Sequence, residues 1–262
     1  MASTPAIINK LIANLGIEVI RRRDRNFDAI LSEIFGTLSP PRVIFDIGAH
    51  NGSSILRFRK LFGQSAAIHS FEANPNLVKN LLADFGNGQN VKVCDRAVSD
   101  VDRELVSFNV HDTSTGSSSL LEVNQARKFA KRRNISSSTI SRTTVETITL
   151  DSYSRTNNIQ SINLLKIDTQ GTELRVLRGA KSLLSKSAID VIEFELIVMD
   201  AYETSIGTFE ILTYLDSYGY KLAALSNDGR SCNKGFSDIL GNSELQFDLI
   251  FVSKAVYKNL MV

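Results

Sequence analysis

The chain has 262 residues, of which 43% are hydrophobic, enough for one α/β domain that buries about 70 to 75% of its unfolded surface. Thirty Lys and Arg against 28 Asp and Glu leave a formal charge of +2, too small a bias to indicate a nucleic-acid partner. Two cysteines far apart, Cys94 and Cys232, supply neither a disulfide framework nor a zinc-ligand spacing, so zinc is not expected and a reducing, cytoplasmic setting fits; two carboxylates, Asp168 and Glu195, suit magnesium or calcium, but no spacing demands a metal.

The N-terminus has its arginines after its apolar residues, the reverse of a secretory signal, and no apolar run is long enough to span a bilayer. Residues 1–40 read as a helical extension, with Ile8, Leu11, Ile12, Leu15 and Val19 on one face. That face has two docking partners open to it, the domain itself or a second subunit in a homodimer. Two basic runs, RRRDR (Arg21 to Arg25) and RKFAKRR (Arg127 to Arg133), ordinarily mark solvated faces. An anionic glycan or peripheral membrane contact is the other reading of them.

Pro40 and Pro41 separate the extension from residues 41–262, where strands and helices alternate. Val43 to Ile47 form a strand buried on both faces, and a helix follows over Ser53 to Phe62 with Ser53 or Ser54 as its cap. Ala66 to Phe71 is the second strand, ending at Glu72; Pro75 opens the next helix, and Val91 to Asp95 is the third strand. Alternation then stops over about residues 100–150, an insertion holding a period-two segment from Glu104 to Val110, a polar loop HDTSTGSSS, a basic helix and the period-two run RTTVETITL. Strand, helix, strand, helix resume as Ile162 to Ile167, Thr172 to Leu184, Ile189 to Phe194 and Thr208 to Tyr218. The last two strands, Lys221 to Leu225 and Leu245 to Val252, are linked without a helical pattern, which predicts an antiparallel final strand.

The run VIFDIGAHNG (Val43 to Gly52) carries the first functional signal. An acid, Asp46, precedes two glycines spaced GxxxG, and His50 stands where a dinucleotide fingerprint needs glycine to admit a pyrophosphate. Glu72, at the tip of the second strand, is placed for ribose hydroxyls. A nucleoside that carries a positive charge and no pyrophosphate suits Asp46, Gly48, Gly52 and Glu72, and S-adenosylmethionine is such a ligand. The ordinary reading of one glycine-containing βα turn is plain packing.

Strand tips four and five face the same crevice and offer Asp168, Thr169, Gln170, Glu173, Glu193 and Glu195. A carboxylate ending a buried strand needs a partner, so Asp168 is the first site candidate; capping the helix after Gly171 is its structural alternative. Period two puts Glu193 and Glu195 on one face. Asp168, Glu193, His50 and His111 are candidate general bases, while His69 reads as a core residue.

Four runs, FDIGAHNG, FEANP (Phe71 to Pro75), LLKIDTQGTELRVLRGA (Leu164 to Ala180) and the closing FDLIFV, resemble in that order the FkbM family of S-adenosylmethionine-dependent methyltransferases. Two positions depart from the family's usual form: His50 stands for a small or amide residue, and Gln170 for an acid. The resemblance implies a Rossmann-like α/β sheet of the class I methyltransferase type, mostly parallel with an antiparallel last strand and helices on both faces. It implies Asp46, Gly48, Ala49 and Gly52 around the amino-acid and ribose portion of the cofactor, Glu72 on the ribose, Asp95, Arg96 and Ala97 at the adenine edge, and Ser118 with Ser119 closing over it. The implied reaction is O-methyl transfer to a sugar hydroxyl of a polysaccharide, glycolipid or secondary metabolite. A non-catalytic glycan-binding or scaffolding module on the same fold is the alternative. An NAD-dependent oxidoreductase is disfavoured by the missing GxGxxG and the absence of a YxxxK pair.

Overall fold

The computed structural model describes residues 27–86, 90–111, 118–121, 140–197, 208–227 and 246–261. The first 26 residues, both basic runs and most of the polar loop of the insertion lie outside them, as does the side chain of His111. In chain order the elements are α1 (Phe27–Leu38), β1 (Val43–Ile47), α2 (Ser53–Phe62), β2 (Ala67–Phe71), α3 (Pro75–Phe85), β3 (Val91–Cys94), β4 (Ala97–Val98), β5 (Leu105–His111), β6 (Ile140–Ile148) and α4 (Leu150–Thr156). They continue as β7 (Ile162–Ile167), α5 (Glu173–Arg178), α6 (Lys181–Ser185), β8 (Ile189–Ile197), α7 (Thr208–Ser217), β9 (Lys221–Asn227), β10 (Gln246–Val252) and α8 (Lys254–Leu260).

Seven strands form one sheet in the order β3-β2-β1-β7-β8-β10-β9. Neighbours run parallel except β10, which is antiparallel to both β8 and β9. The antiparallel pairing and the methyltransferase-like mixed sheet agree with the sequence expectation. Strand order reverses between β1 and β7, and a crevice opens at such a switch point beyond the carboxyl ends of the strands. The insertion builds its own small sheet, β4-β6-β5, in which β5 and β6 pair antiparallel.

Period-two alternation sends the residues of β1 to two cores. Phe45 and Ile47 join Phe71, Tyr153, Leu165, Ile167 and Phe194 on one face; Ile44 joins Leu31, Ile55, Phe58, Leu164 and Ile250 on the other. Helix α1 reaches the second face through Leu31, Ile34 and Phe35, a three- and four-residue spacing.

Three local expectations are corrected. Neither Ser53 nor Ser54 caps α2: its N-cap is Gly52 in the left-handed region (φ 80°), and a Cβ there would lie 2.4 Å from the Phe85 ring. The predicted helix over Thr172 to Leu184 is two helices, broken where a Cβ on Gly179 would lie 2.1 Å from the Ser99 carbonyl oxygen. The Asp151 carboxylate then accepts from Ser182 N (2.7 Å) and Leu183 N (3.0 Å), restarting the chain as α6. Helices α4 and α8 were not expected; each has a hydroxyl N-cap, Thr149 and Ser253.

Candidate active site

The crevice at the switch point has a volume of about 490 Å³, within the range of roughly 300 to 1,000 Å³ typical of small-molecule sites. Its walls come from the β1–α2 turn, the tips of β2, β3, β7 and β8, and the insertion. Residues Gly48, Ala49, His50, Glu72, Arg96, Ala97, Ser118 and Asp168 all line it, as do Gln170 and Glu195.

The turn after β1 is fixed by backbone bonds. Gly48 N and Ala49 N both donate to the Phe71 carbonyl (2.9 and 3.0 Å), and Asp168 N donates to the Ile47 carbonyl (3.0 Å). Gly48 has φ 76°, and a Cβ on it would lie 2.0 Å from the Asp168 carbonyl oxygen, so only glycine lets the tips of β1 and β7 meet this closely. His50 and Gln170 also hold positive φ, 49° and 55°, and both line the crevice; such backbone strain in non-glycine residues persists where a site over-determines it.

Glu72 folds its carboxylate back on the turn, accepting from His50 N (2.8 Å) and Asn74 N (2.8 Å). Burial raises its pKa, and the two backbone donors oppose that shift only in part. Each carboxylate oxygen has a second lone pair, so the group can hold the turn and still accept from a ligand hydroxyl.

The β7 side is ionic. Strand register sets Asp46, Lys166 and Glu193 side by side across β1, β7 and β8 on one face of the sheet. Asp46 is fully buried and does not itself line the crevice: Ser54 Oγ donates to its Oδ2 at 2.5 Å, and Lys166 Nζ lies 3.4 Å from its Oδ1 as an ion pair, not a hydrogen bond. Lys166 Nζ donates to the Gly48 carbonyl (3.0 Å) and sits 3.5 Å from Asp168 Oδ2. Burial alone would lower the lysine's pKa, but the carboxylates of Asp168, Asp46 and Glu193 more than offset it and hold it above its ordinary value.

Two predicted roles change on this geometry. Glu193 is absent from the crevice wall: its Oε1 accepts from Arg57 Nη1 at 2.7 Å, and Arg57 Nε in turn donates to Asp28 of α1. The row of like-facing residues therefore ends in the helix layer at Glu193, while Glu195 reaches the mouth. Glu173 is likewise turned away, accepting from Thr169 N (3.2 Å) and Gly171 N (3.0 Å), so it braces the turn after β7 in the place proposed for an Asp168 cap. Asp168 stays in the crevice, where Gln170 Nε2 donates to its Oδ1 (2.7 Å) and to Glu195 Oε2 (3.1 Å). Ser119 Oγ donates to the Gln170 carbonyl (2.9 Å), tying the insertion to this turn.

Gly52 and Asp95 do not line the crevice either. Gly52 gives way to the Phe85 ring, and Asp95 is exposed while Arg96 and Ala97 after it turn inward. Residues the sequence reading did not place in the site include Arg57, Phe108 and Leu120. Arg57 had a signal, since it lies one helical turn beyond Ser53 on the face of α2 that begins at the glycine loop. Phe108 and Leu120 belong to the insertion, whose pairing no local pattern reveals. Among the described residues, no group of three or more His, Cys, Asp or Glu is disposed to hold a metal ion, and no helix is long and apolar enough to cross a membrane.

A family profile described as "Methyltransferase FkbM domain" matches residues 46–222. The chain is 27% identical over 187 residues to the 2-O-methyltransferase NoeI of Sinorhizobium fredii (strain NBRC 101917 / NGR234), covering 68% of this chain and 73% of that protein. Solved structures similar to it include a methyltransferase FkbM from Methylobacillus flagellatus KT (13% identity, TM-score 0.46, 79% of this chain and 43% of that one). Another is Aeropyrum pernix fibrillarin in complex with natively bound S-adenosyl-L-methionine (11% identity, TM-score 0.44, 81% of this chain and 66% of that one). The chain thus spans less than half of the first of these structures. The profile covers more than half of the 262 residues, so the chain is a methyltransferase and belongs to the FkbM family.

Proposed function

We propose that the protein transfers the methyl group of S-adenosylmethionine to a sugar hydroxyl of a polysaccharide, glycolipid or secondary metabolite. One observation carries the cofactor half of this reading: Glu72 at the tip of β2 and Asp168 at the tip of β7 open on one crevice, with the Gly48 turn between them. That donor set fits a nucleoside with a cationic centre. Glu72 can accept from ribose hydroxyls, Arg96 and Ala97 border the adenine end, and the carboxylates around β7 and β8 lie towards the sulfonium.

When bound, the cofactor supplies an electrophilic methyl carbon. The chain's own part is to align the two reactants, worth on the order of 7 to 11 kcal/mol of barrier when well done, and to take up the hydroxyl proton. Asp168 and His50 both line the crevice and stand as the candidate bases; Glu193, neutralised by Arg57, does not. The sugar acceptor is supported by the family resemblance and by the 2-O-methyltransferase similarity.

Titration calorimetry with S-adenosylhomocysteine tests the first half: heat of binding is expected, and Glu72→Ala, which removes the carboxylate that faces the crevice, should weaken it severely while the fold stays cooperative. Incubation with radiolabelled methyl donor and a panel of oligosaccharides and glycolipids tests the second. Label recovered on a hydroxyl oxygen supports the reading, and label found only on nitrogen or carbon would overturn it.

A further inference from the structure

We propose that Ser119, carried by the insertion, is a positioning residue for the β7–β8 end of the crevice: it holds Gln170 so that the Gln170 amide ties Asp168 to Glu195. This rests on the S-adenosylmethionine reading above and adds to it the means by which the insertion shapes the site. The family resemblance put Ser119 over the cofactor beside Ser118. Ser119 is instead 1% exposed and off the crevice wall, which Ser118 and Leu120 line.

Backbone pairing explains that alternation. Asn109 N donates to the Ser119 carbonyl (3.0 Å) and Ser119 N to the Asn109 carbonyl (3.2 Å), so the chain at Ser119 lies antiparallel beside β5. Phe108, Ser118 and Leu120 then face the crevice, while Asn109 and Ser119 are buried behind it. The Ser119 hydroxyl is used twice. It accepts from Leu121 N (3.1 Å), and its one proton goes to the Gln170 carbonyl (2.9 Å), nearer than the Thr169 carbonyl (3.4 Å).

Gln170 needs such a hold. It is a non-glycine residue at φ 55°, a conformation that persists where the surroundings over-determine it. Glu173 accepts from the flanking amides, Thr169 N (3.2 Å) and Gly171 N (3.0 Å), and Ser119 takes the carbonyl between them. The side chain is thereby aimed at two acids, its amide nitrogen donating to Asp168 Oδ1 (2.7 Å) and Glu195 Oε2 (3.1 Å). The opposite amide orientation would set its oxygen against both carboxylates. With Lys166 Nζ 3.5 Å from Asp168 Oδ2, each oxygen of that acid has a partner that fixes it. The insertion is fastened at its base, where Ala97 pairs with Thr147 and Asp102 accepts from Ser152 Oγ (2.5 Å). Through Ser119 it also reaches the turn that orients Asp168, so its seat on the domain and the shape of the site are coupled.

Calorimetric titration with S-adenosylmethionine, which needs no acceptor, tests this in a double-mutant cycle. Ser119→Ala should weaken binding by about two- to tenfold, the range for one lost neutral hydrogen bond. In a Gln170→Ala protein, where no amide remains to be positioned, the same substitution should have little further effect. Ser119→Ala also strands the Leu121 N–H, a general cost that would appear equally in both backgrounds. A second readout needs no ligand: the Gly171 amide, which Glu173 protects in the turn, should exchange its hydrogen faster in Ser119→Ala than in wild type. Wild-type affinity in Ser119→Ala, or the same fold-loss in both backgrounds, would overturn the proposal. Failure of wild type to bind the cofactor would overturn the methyl-transfer reading, whereas unchanged exchange at Gly171 would overturn the positioning role whichever ligand the crevice takes.

Discussion

The two faces of the central sheet answer the same problem differently. At the level of β1, β2 and α4 one face is filled by aromatic rings: Phe71 and Tyr153 meet at 4.6 Å between centroids, and Phe45 lies 5.2 Å from His69. The opposite face, one residue further along β1 and across β7 and β8, carries the row Asp46, Lys166 and Glu193. Replacing buried ion pairs with apolar groups is often neutral or stabilising, so a row of three charges is weak evidence for stability. The aromatic face is scaffold. The ionic face meets the crevice at Lys166, and on the proposed function its charges serve the ligand site and not the core.

The largest expected effect breaks the ionic face at its centre. Lys166→Met leaves Asp46 and Asp168 without the cation they share, which should cost about 3 to 5 kcal/mol in urea unfolding, the scale for removing one partner of a buried pair. A loss under about 1 kcal/mol would mean that the row is solvated and the two faces are not different in kind.

The aromatic face is sharpened by acid. His69 Nδ1 lies 2.9 Å from the Tyr153 hydroxyl, and burial, aided by the charge of Lys92, lowers the imidazole pKa to about 4. An unfolded chain binds this proton near pH 6.5, so the histidine's contribution to stability is present above that pH and lost as pH falls towards 4. The shift corresponds to about 3 kcal/mol at most, by the usual conversion of 1.36 kcal/mol per pKa unit. His69→Gln should therefore show a shallower loss of stability between pH 7 and pH 4 in denaturant melts. Parallel pH profiles for the two proteins would assign the acid sensitivity elsewhere.

Much of this architecture was visible in the residues. The apolar run of β1, the glycine turn, the acids Glu72 and Asp168 and the antiparallel last strand follow from local patterns that short-range physics enforces. What escaped was set by contacts distant in sequence. Ser54 follows an N-terminal helix signal, yet its hydroxyl is drawn to Asp46 beneath it, and at the turn before the helix Asn51 Oδ1 accepts from Ser53 N. Glu193 and Glu195 look equivalent along the strand; Arg57, from a helix 136 residues earlier, takes up the first, while the second lines the crevice. The helix ends at Gly179, a residue of low helix propensity, and its missing Cβ leaves room for the Ser99 carbonyl oxygen, a contact distant in sequence.

Gly48 joins the tips of β1 and β7, where both faces end at the crevice. Gly48→Ala puts a Cβ 2.0 Å from a backbone oxygen at a φ of 76°, and backbone on both sides leaves no flexible side chain to yield. A loss of about 2 to 3 kcal/mol is expected from left-handed strain and the forced separation of the strand tips, with S-adenosylhomocysteine binding falling further than stability. Equal losses in both would place the glycine's role in folding alone.

The smallest effect isolates environment from geometry. Arg57–Glu193 and Arg178–Glu210 are ion pairs of nearly the same length, 2.7 and 2.8 Å. The side chains of the first are 26% and 11% exposed, those of the second 43% and 53%. A double-mutant cycle on the surface pair should give a coupling of about 0.2 to 1 kcal/mol that fades in salt, because water and ions screen it. The inner pair has less water to compete with, and its coupling should be about 1.5 to 3 kcal/mol and hold in salt, as for hydrogen bonds to charged groups. Distance being equal, any difference between the two cycles measures what burial on the ionic face adds, and equal couplings would remove the contrast between that face and the solvent.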